Sequence, residues 1–340
     1  MGRKDKLKQK NMDKISVIIP AYKRPNQTAR TINHLFQSNG LNEKFEMEVI
    51  VSDCTEDESV KNKLKKNFGE RVVYTRPQKP GVASNKNQGA KIAKNPILIF
   101  ADSDMEVEKE TLLSCIDYLK KHPHVAALTT NIVWRGNENE GDLDRPRDED
   151  RLINYKDTDF TEFIYSRFKV TYKEVFEKVG GYDETVFNMR GEGSDLSTRY
   201  WRAGFPLAYN FKAKVHHHEI DEGIGSTAKN PEWGVAKDYL LLGYKYDNYE
   251  EESNYFAKTI SKNMENYDPD KSHFRILQGI AKNYKLVSES KKIIDKQKEK
   301  MNPEFNFNFM EVFSNKEKLK NCIDKAEEKL KPIRNKALKI

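Results

Sequence analysis

Short apolar runs alternate with amphipathic stretches over the first 130 residues of the chain. The apolar runs are rich in β-branched residues and have the length of single strands, at residues 15–20, 48–52, 71–74 and 97–101. Between them, apolar side chains recur at helical spacing in residues 28–38, 60–64 and 81–93. The resulting β-α-β-α-β-α-β order predicts an α/β fold with a doubly wound, mostly parallel sheet flanked by helices.

The second half of the chain has a less regular pattern. Residues 135–159 are almost wholly polar, which favours a solvated loop, with a loop that covers an acceptor as the alternative. From residue 232 onward the apolar groups indicate packed helices, and residues 319–333 carry an apolar stripe at helical spacing. The stripe favours a helix packed on its own domain, and a basic helix on an anionic membrane surface is the alternative. We expect three regions: a basic tail at 1–14, an α/β domain at 15–225 and a helical C-terminal region at 226–340.

The composition predicts a soluble protein. Charged residues make up 33% of the 340 residues, mean hydropathy is −0.86, and no apolar run has the length of a transmembrane helix. The basic N-terminus lacks the apolar core of a secretory signal, and three widely spaced cysteines indicate a reducing compartment. We expect a cytoplasmic protein, with peripheral contact at the inner face of the membrane as a variant of that expectation. The net charge of +7 suits nucleic acid, an anionic membrane or a phosphorylated substrate equally.

The strand at 97–101 ends in an acidic motif, Asp102-Ser103-Asp104. Carboxylates at positions i and i+2 of an extended chain point to the same side. The carboxyl end of a buried strand is also where open α/β sheets bind their ligands. Two oxygen ligands on one side suit Mg²⁺ or Mn²⁺ held together with phosphate oxygens. The alternative is a turn and helix N-cap without a ligand.

Other polar residues follow the first two strands and the third helix. A single crevice could collect residues 20–22, Asp53 and the acidic motif, because the carboxyl ends of parallel strands meet at one edge. Asp53 is suited to accept hydrogen bonds from a base N–H or a ribose hydroxyl, and Lys86 to offset diphosphate charge. The alternatives are a helix-capping turn for Asp53 and a solvated surface lysine for Lys86.

Two further clusters lie in the second half. Glu192 and Asp195 stand at the start of a predicted helix, where they either cap it or include a general base. Three consecutive histidines end a predicted strand, and on a strand His216 and His218 share one face while His217 opposes them. A neutral imidazole is a good third metal ligand, so we expect His216 or His218 to complete the site of the two aspartates.

In their order along the chain, these motifs resemble those of the family 2 glycosyltransferases of the GT-A fold. The similar segments, which span about residues 15 to 220, are ISVIIPAYKR at 15–24, EVIVSDCTEDES at 48–59, GVASNKNQGAKIA at 81–93, DSD at 102–104, VGGYDE at 179–184 and GEGSDLSTRYWRAG at 191–204. Lys86 stands where the family usually has arginine. The family usually reads Glu-Asp at its acidic motif, whereas here Glu192 is followed by Gly193.

The resemblance implies a nucleotide-sugar half at 15–130 and an acceptor half at 131–225. The donor would be bound by residues from the first four strand ends and the third helix: Pro20, Tyr22, Arg24, Asp53, Lys86, Asn87, Asp102 and Ser103. The implied metal ligands are Asp102, Asp104, His216 and His218, with Mn²⁺ or Mg²⁺ as the cofactor. The catalytic base would be Glu192 or Asp195, and the choice between them stays open.

The predicted function is therefore a metal-dependent glycosyltransferase of polysaccharide biosynthesis. It would move a sugar from a nucleotide-diphosphate sugar, with UDP as the expected nucleotide, to a hydroxyl of a glycan or lipid-linked acceptor, with inversion. No nucleic-acid partner is expected, because the predicted crevice is acidic. One alternative is a sugar nucleotidyltransferase, although the turn at residues 20–25 lacks the glycines of a phosphate loop. The other is a non-catalytic polysaccharide-binding protein in which the acidic motifs are structural.

Overall fold

The computed structural model describes residues 12–39, 45–135, 152–164, 166–218, 241–246, 284–299, 312 and 315–338. Its strands are β1 (Asp13–Ala21), β2 (Phe45–Asp53), β3 (Val72–Thr75), β4 (Ile97–Ala101), β5 (Met105–Val107), β6 (Ala127–Arg135), β7 (Leu152–Tyr155), β8 (Thr158–Thr161), β9 (Phe168–Tyr172) and β10 (Leu207–His218). Its helices are α1 (Pro25–Ser38), α2 (Ser59–Phe68), α3 (Val82–Ile92), α4 (Thr111–Lys121), α5 (Lys173–Lys178), α6 (Glu192–Arg202), α7 (Tyr284–Lys298) and α8 (Lys316–Ala337).

The strands form one mixed sheet in the order β3-β2-β1-β4-β9-β6-β10-β8-β7, and β5 pairs with β10 beside this path. The first four strands in this order are parallel, as the alternation of strands and helices predicts. β9 then runs antiparallel to both β4 and β6. The α/β fold class is confirmed, with a parallel first half and a mixed second half.

The centre of the sheet is apolar on both faces. Residues 97–101 of β4 are completely buried, which is the burial expected of a short continuous apolar run. On one face, α3 lies close to β1 because Gly89 has no side chain. A Cβ atom at Gly89 would stand 2.4 Å from the Ile18 side chain. Glycine at this position therefore permits the close helix–strand packing that brings Lys86 under the sheet edge.

The polar stretch at 135–159 differs from its prediction where the structure describes it. β7 and β8 form an antiparallel hairpin, and β8 pairs with β10. Lys156 and Asp157 both have positive φ, the conformation of a two-residue hairpin turn. The solvated-loop prediction is wrong for residues 152–159, because they form the paired strands of this hairpin and Thr158 is fully buried. Residues 136–151 lie outside the described residues.

Strand pairing determines two further features of the second half. Residues 105–107 form β5, which pairs with the end of β10, and α4 begins only at Thr111. β10 is interrupted between Asn210 and Lys214 by a register shift in its pairing with β6. Both features come from long-range strand pairing, which local spacing does not contain.

The apolar stripe of α8 is part of the main core. Leu319, Ile323, Leu330 and Ile333 are buried there, and the Arg334 guanidinium donates to the backbone oxygen of Lys120 at 3.0 Å. The prediction that this helix packs on its own domain is confirmed. The stripe is consequently not available to a membrane surface. Within the part of the chain that the structure covers, no helix is long and apolar enough to cross a bilayer.

Several sequence-based predictions concern other parts of the chain. The basic tail up to residue 11 and the expected domain boundary at 225/226 lie outside the described residues. In the C-terminal region before α8, the structure describes the helical residues 241–246 and helix α7. They pack in a second apolar cluster with Val186 and Phe187, which lie between α5 and α6.

Candidate active site

The predicted strand-end residues do meet at one edge of the sheet. Ala21 at the end of β1 pairs with Asp53 at the end of β2, and Pro20 pairs with Ser52. Asp53 is fully buried. Its Oδ1 accepts from the Thr55 amide and hydroxyl at 2.9 and 2.5 Å, and its Oδ2 accepts from the Tyr74 hydroxyl at 2.9 Å. Asp53 therefore organises the turn after β2, but it does not cap α2, whose N-cap is Glu58 without a side-chain hydrogen bond.

The turn after β1 reaches towards both neighbouring strand ends. Lys23 has a φ of +53°, and its backbone amide donates to the Thr55 hydroxyl at 2.8 Å. The Tyr22 hydroxyl donates to Glu56 at 3.2 Å on the exposed side. Arg24 turns the other way and forms an ion pair with Asp104. Tyr22 thus lies beside the turn after β2, and Arg24 lies beside the acidic motif after β4.

The two aspartates of the acidic motif follow β4 directly. The Asp102 amide donates to the Arg167 carbonyl at 2.8 Å, which continues the β4–β9 pairing past the end of β4. The Oδ1 atoms of Asp102 and Asp104 are buried and accept no hydrogen bond from any residue the structure describes. Burial raises the pKa of both carboxyl groups, against the opposing effect of Lys86 on Asp102 and of Arg24 on Asp104. Buried carboxylate oxygens without a donor have capacity for a ligand.

The histidine nearest to this motif is His217. Its Nε2 atom lies 3.4 Å from Asp104 Oδ1. The predicted ligands His216 and His218 do share a face, but it is the opposite one, where they pair with Glu108 at 2.8 Å and Glu106 at 3.0 Å. The pleat of β10 gives His216 and His218 their shared face, and the β5–β10 pairing decides that His217 faces the aspartates.

The ligand set is therefore not assembled as the sequence suggested. No three His, Cys, Asp or Glu side chains converge tightly enough to define a metal centre anywhere in the described ranges. What the structure brings together is a pair of aspartates whose buried Oδ1 atoms accept no hydrogen bond from the described residues. The Lys86 ammonium lies 3.2 Å from Asp102 Oδ1, and the His217 imidazole lies 3.4 Å from Asp104 Oδ1.

Lys86 joins this edge to the second half of the sheet. Its side chain is completely buried, so it is not the solvated lysine of the alternative interpretation. The ammonium donates to the Ser166 carbonyl at 2.7 Å, and lies 3.2 Å from Asp102 Oδ1 and 3.8 Å from Glu192 Oε1. One cation thus stands between an acid of the first half and an acid of the second.

Glu192 and Asp195 have different surroundings although they lie one helical turn apart. Glu192 is nearly buried, and its Oε1 accepts from the Ser166 hydroxyl at 2.5 Å. Asp195 is fully buried and accepts from Arg199, from Lys245 at 2.7 Å and from the Tyr246 hydroxyl at 2.7 Å.

These surroundings separate the two acids chemically. Burial alone would raise the pKa of Asp195, but Arg199 and Lys245 outweigh it, and the pKa lies below its ordinary value. A carboxylate engaged by three donors has little capacity left for a substrate proton. Of the two predicted base residues, Glu192 is the one that stands beside Lys86 and the acidic motif.

Asn87 is tied to the segment that resembles GGFDE. Its Nδ2 donates to the Tyr182 carbonyl at 2.9 Å and to Glu184 at 2.7 Å, and its Oδ1 accepts from the Tyr182 amide. These bonds fasten α3 to residues 182–184. Asn87, the residue after Lys86 on α3, therefore helps to hold Lys86 in place. In the acidic motif, Ser103 is buried between the two aspartates in sequence.

Sequence reasoning missed a second buried lysine. Lys169 on β9 is completely buried, and its Nζ accepts or donates no hydrogen bond among the described residues. It lies over the Tyr182 ring, 5.1 Å from the centroid. Burial, aided by Lys86, holds its pKa well below the ordinary value. The available signal was a lysine inside the apolar strand FKVTY. Strand alternation alone did not distinguish this buried lysine from an exposed one.

Solved structures share this architecture. GalNAc-T7, crystallised with UDP, GalNAc and Mn²⁺, superposes with a TM-score of 0.54 at 18% identity, over 82% of this chain and 58% of that one. The TarS structure from S. aureus gives a TM-score of 0.52 at 15% identity, over 76% of this chain and 44% of that one. The fold is that of the GT-A glycosyltransferases, as the resemblance implied.

The sequence comparison is more specific. Residues 16–180 match the family model of glycosyl transferase family 2. This stretch of the chain therefore carries the sequence pattern of glycosyl transferase family 2. The matched range contains the acidic motif and Lys86, whereas Glu192 and His217 lie beyond its end.

Two curated relatives share this part of the chain. The "Uncharacterized glycosyltransferase YfnE" of Bacillus subtilis is 29% identical over 171 residues, which is 49% of this chain and 36% of YfnE. The poly(ribitol-phosphate) beta-N-acetylglucosaminyltransferase TarS of Staphylococcus aureus is 27% identical over 113 residues, 33% of this chain and 20% of TarS. The chain thus aligns with about a third of YfnE and a fifth of TarS.

Proposed function

We propose that the protein transfers a sugar from a nucleotide-diphosphate sugar, with UDP as the nucleotide, to a hydroxyl group of a glycan or polyol-phosphate acceptor. The observation that carries this proposal is the position of Lys86 between Asp102 and Glu192. Donor-side and acceptor-side acids then face one crevice, as transfer between two bound substrates requires.

A divalent cation fits the donor side. Asp102 and Asp104 each have a buried Oδ1 atom that accepts no hydrogen bond from the residues described, and His217 Nε2 lies beside Asp104. Carboxylate oxygens and imidazole suit Mn²⁺, and carboxylates with phosphate oxygens suit Mg²⁺. We therefore propose His217, in place of His216 and His218, as the imidazole ligand. Bound there, the ion would supply positive charge to the leaving diphosphate.

Lys86 and Arg24 supply the fixed charge around these acids. Lys86 is held by the Ser166 carbonyl, and Arg24 by its ion pair with Asp104. Both cations are preorganised by the protein, so they stabilise charge on the diphosphate without a cost of reorganisation during the reaction.

Glu192 is the proposed general base. The acceptor oxygen forms a bond to the anomeric carbon while the bond from that carbon to the diphosphate oxygen breaks with its electron pair. The hydroxyl proton moves to the Glu192 carboxylate. Attack from the face opposite the diphosphate inverts the configuration. Ser166 and Lys86 orient the carboxylate for this transfer by their contacts with Oε1.

The name of TarS supports the choice of acceptor and probe. TarS is a poly(ribitol-phosphate) beta-N-acetylglucosaminyltransferase, so UDP-N-acetylglucosamine and ribitol-phosphate oligomers are the first substrates to offer to this chain. The apolar stripe of α8 is buried in the core, so this helix does not support the choice of a lipid-linked acceptor at a membrane surface.

Thermal unfolding with UDP, GDP, TDP and CMP, each with and without Mn²⁺, tests the donor site. A ligand at 100 times its Kd stabilises the fold by about 2.7 kcal/mol. We expect a shift with UDP that requires Mn²⁺, and its loss in Asp104→Asn. Asp117→Asn makes the same chemical change on the exposed side of α4 and should behave as the wild type. Full UDP binding and transfer by Asp104→Asn would refute the metal assignment.

A further inference from the structure

The second acidic residue of α6 has a partner from a distant part of the chain. Lys245 is 4% exposed, and its ammonium donates to Asp195 Oδ1 at 2.7 Å and to Asp183 Oδ2 at 3.0 Å. The neighbouring Tyr246 donates its hydroxyl to the same Asp195 oxygen at 2.7 Å. Residues 241–246 lie well beyond the range 16–180 that matches the family.

These bonds act on the first turn of α6. The Asp195 amide donates to the Gly191 carbonyl at 3.0 Å, and Glu192 is the first residue of the helix. Gly191 has a φ of +73°, so the chain enters this turn by a left-handed residue rather than through a side-chain cap. A turn without its own side-chain cap depends on other contacts for a fixed position.

The second half of the contact is the segment that follows α5. Asp183 accepts from Lys245 and from Gln297 of α7, the latter at 3.0 Å. Arg199 binds Asp195 from within α6 and donates to the Gly181 carbonyl at 2.6 Å. Lys245 therefore links Asp183 in the segment after α5 to Asp195 of α6, and both carboxylates are buried, which strengthens each charged bond.

We infer that Lys245, assisted by Tyr246, is a positioning residue for Glu192: by binding Asp195 it fixes the first turn of α6 and so the direction of the base. The inference rests on the proposed role of Glu192. It means that the catalytic unit includes the 241–246 segment, although the family match ends at residue 180. A base displaced by one ångström loses much of its rate advantage while donor binding at the other strand ends is unaffected.

Amide hydrogen exchange measures the positioning directly and needs no substrate. In full-length Lys245→Met, we expect amides of residues 192–196 to exchange about tenfold faster than in the wild type. Lys245→Arg should restore protection, because a guanidinium can still bind both carboxylates. Lys292→Met, on the exposed side of α7, is the matched control and should leave the exchange unchanged. Unchanged protection of residues 192–196 in Lys245→Met would overturn the inference.

Turnover separates this inference from the proposed function. With UDP-N-acetylglucosamine, Mn²⁺ and ribitol-phosphate oligomers as the acceptor, we expect release of UDP by Lys245→Met to have a kcat about tenfold lower and an unchanged KM for the donor. Lys245→Arg should recover the wild-type kcat. A merely structural role would lower the melting temperature and raise KM together. If Lys245→Met does not fold, Tyr246→Phe is the second variant, since it removes only one hydrogen bond to Asp195. We expect faster amide exchange at residues 192–196 in Tyr246→Phe as well, and unchanged exchange would count against the inference. Failure of the wild type to bind UDP would refute the proposed donor, whereas the exchange result still decides the positioning role.

Discussion

A buried pair of histidines beside the β7–β8 hairpin makes stability depend on pH. His122 and His124 are 5% and 4% exposed, and the Thr158 hydroxyl bonds His122 Nδ1 and His124 Nε2 at 2.8 Å each. Burial, with smaller contributions from His122 and Lys156, lowers the pKa of His124 from 6.5 to about 4. His124 is therefore neutral in the folded protein at pH values where the unfolded chain is already protonated.

The sign of the effect follows from this difference. Between about pH 6.5 and 4 the unfolded state binds the additional proton, so the free energy of unfolding falls as the pH is lowered. The contribution is complete above pH 6.5 and lost below pH 4. With 1.36 kcal/mol per pKa unit, the loss reaches about 2 kcal/mol at pH 5 and about 3 kcal/mol at pH 4.

His124→Gln isolates this contribution, because glutamine can bond Thr158 and does not titrate. Urea unfolding, followed by circular dichroism at pH 7.5, 6 and 5, gives the free energy for both proteins. Other groups also titrate in this range, so the quantity of interest is the difference between the two curves. We expect the wild type to lose about 2 kcal/mol more than His124→Gln between pH 7.5 and 5. Parallel curves would refute the argument.

Two further predictions concern the candidate site. Glu192→Gln should lower kcat by at least a hundredfold and leave UDP binding with Mn²⁺ unchanged, because the carboxylate acts on the acceptor proton. Steady-state kinetics measures the turnover and calorimetry measures the binding. Near-normal turnover would exclude Glu192 as the base. Lys169→Met should raise the free energy of unfolding in urea by about 1–3 kcal/mol near pH 7, because a buried amine without a hydrogen-bond partner is costly. Because the pKa of Lys169 is lowered, folding also opposes protonation of this lysine at pH values below the unfolded pKa of 10.5. That part of the penalty falls as the pH rises towards 10.5, so the gain in Lys169→Met should shrink there. A loss of stability in Lys169→Met would contradict this account.

Local pattern was sufficient for the first half of the fold. β1, β2 and β4 are continuous apolar runs, and runs of that kind are buried on both faces in parallel sheets, which is how they lie here. Their acidic ends were found for the same reason, since a strand end is a local feature of the sequence. The resemblance to family 2 then supplied what local pattern cannot, namely the association of residues 102–104 with the segment at 191–204.

The errors share one physical cause, which is pairing between distant strands. His217 faces Asp104 because β5 pairs with β10, and the hairpin at 152–161 is ordered because β8 pairs with β10. Neither partner strand has a strong pattern of its own, so neither pairing is visible in a window of sequence. The burial of Lys86 and Lys169 is a tertiary result of the same kind, since lysine is normally exposed.

The reversal of strand direction at β9 explains where the site forms. In a fully parallel sheet, residues that precede a strand lie at the edge opposite to residues that follow its neighbour. Because β9 is antiparallel to β4, Ser166 and Arg167 before β9 lie beside Asp102 after β4. Ser166 then binds Glu192 by its hydroxyl and Lys86 by its carbonyl, which brings the acid of the second half within 3.8 Å of the lysine from the first. One antiparallel strand thus brings the acids of the two halves to the same edge of the sheet. A sequence without β9 in this orientation could carry every motif and still not assemble the candidate site.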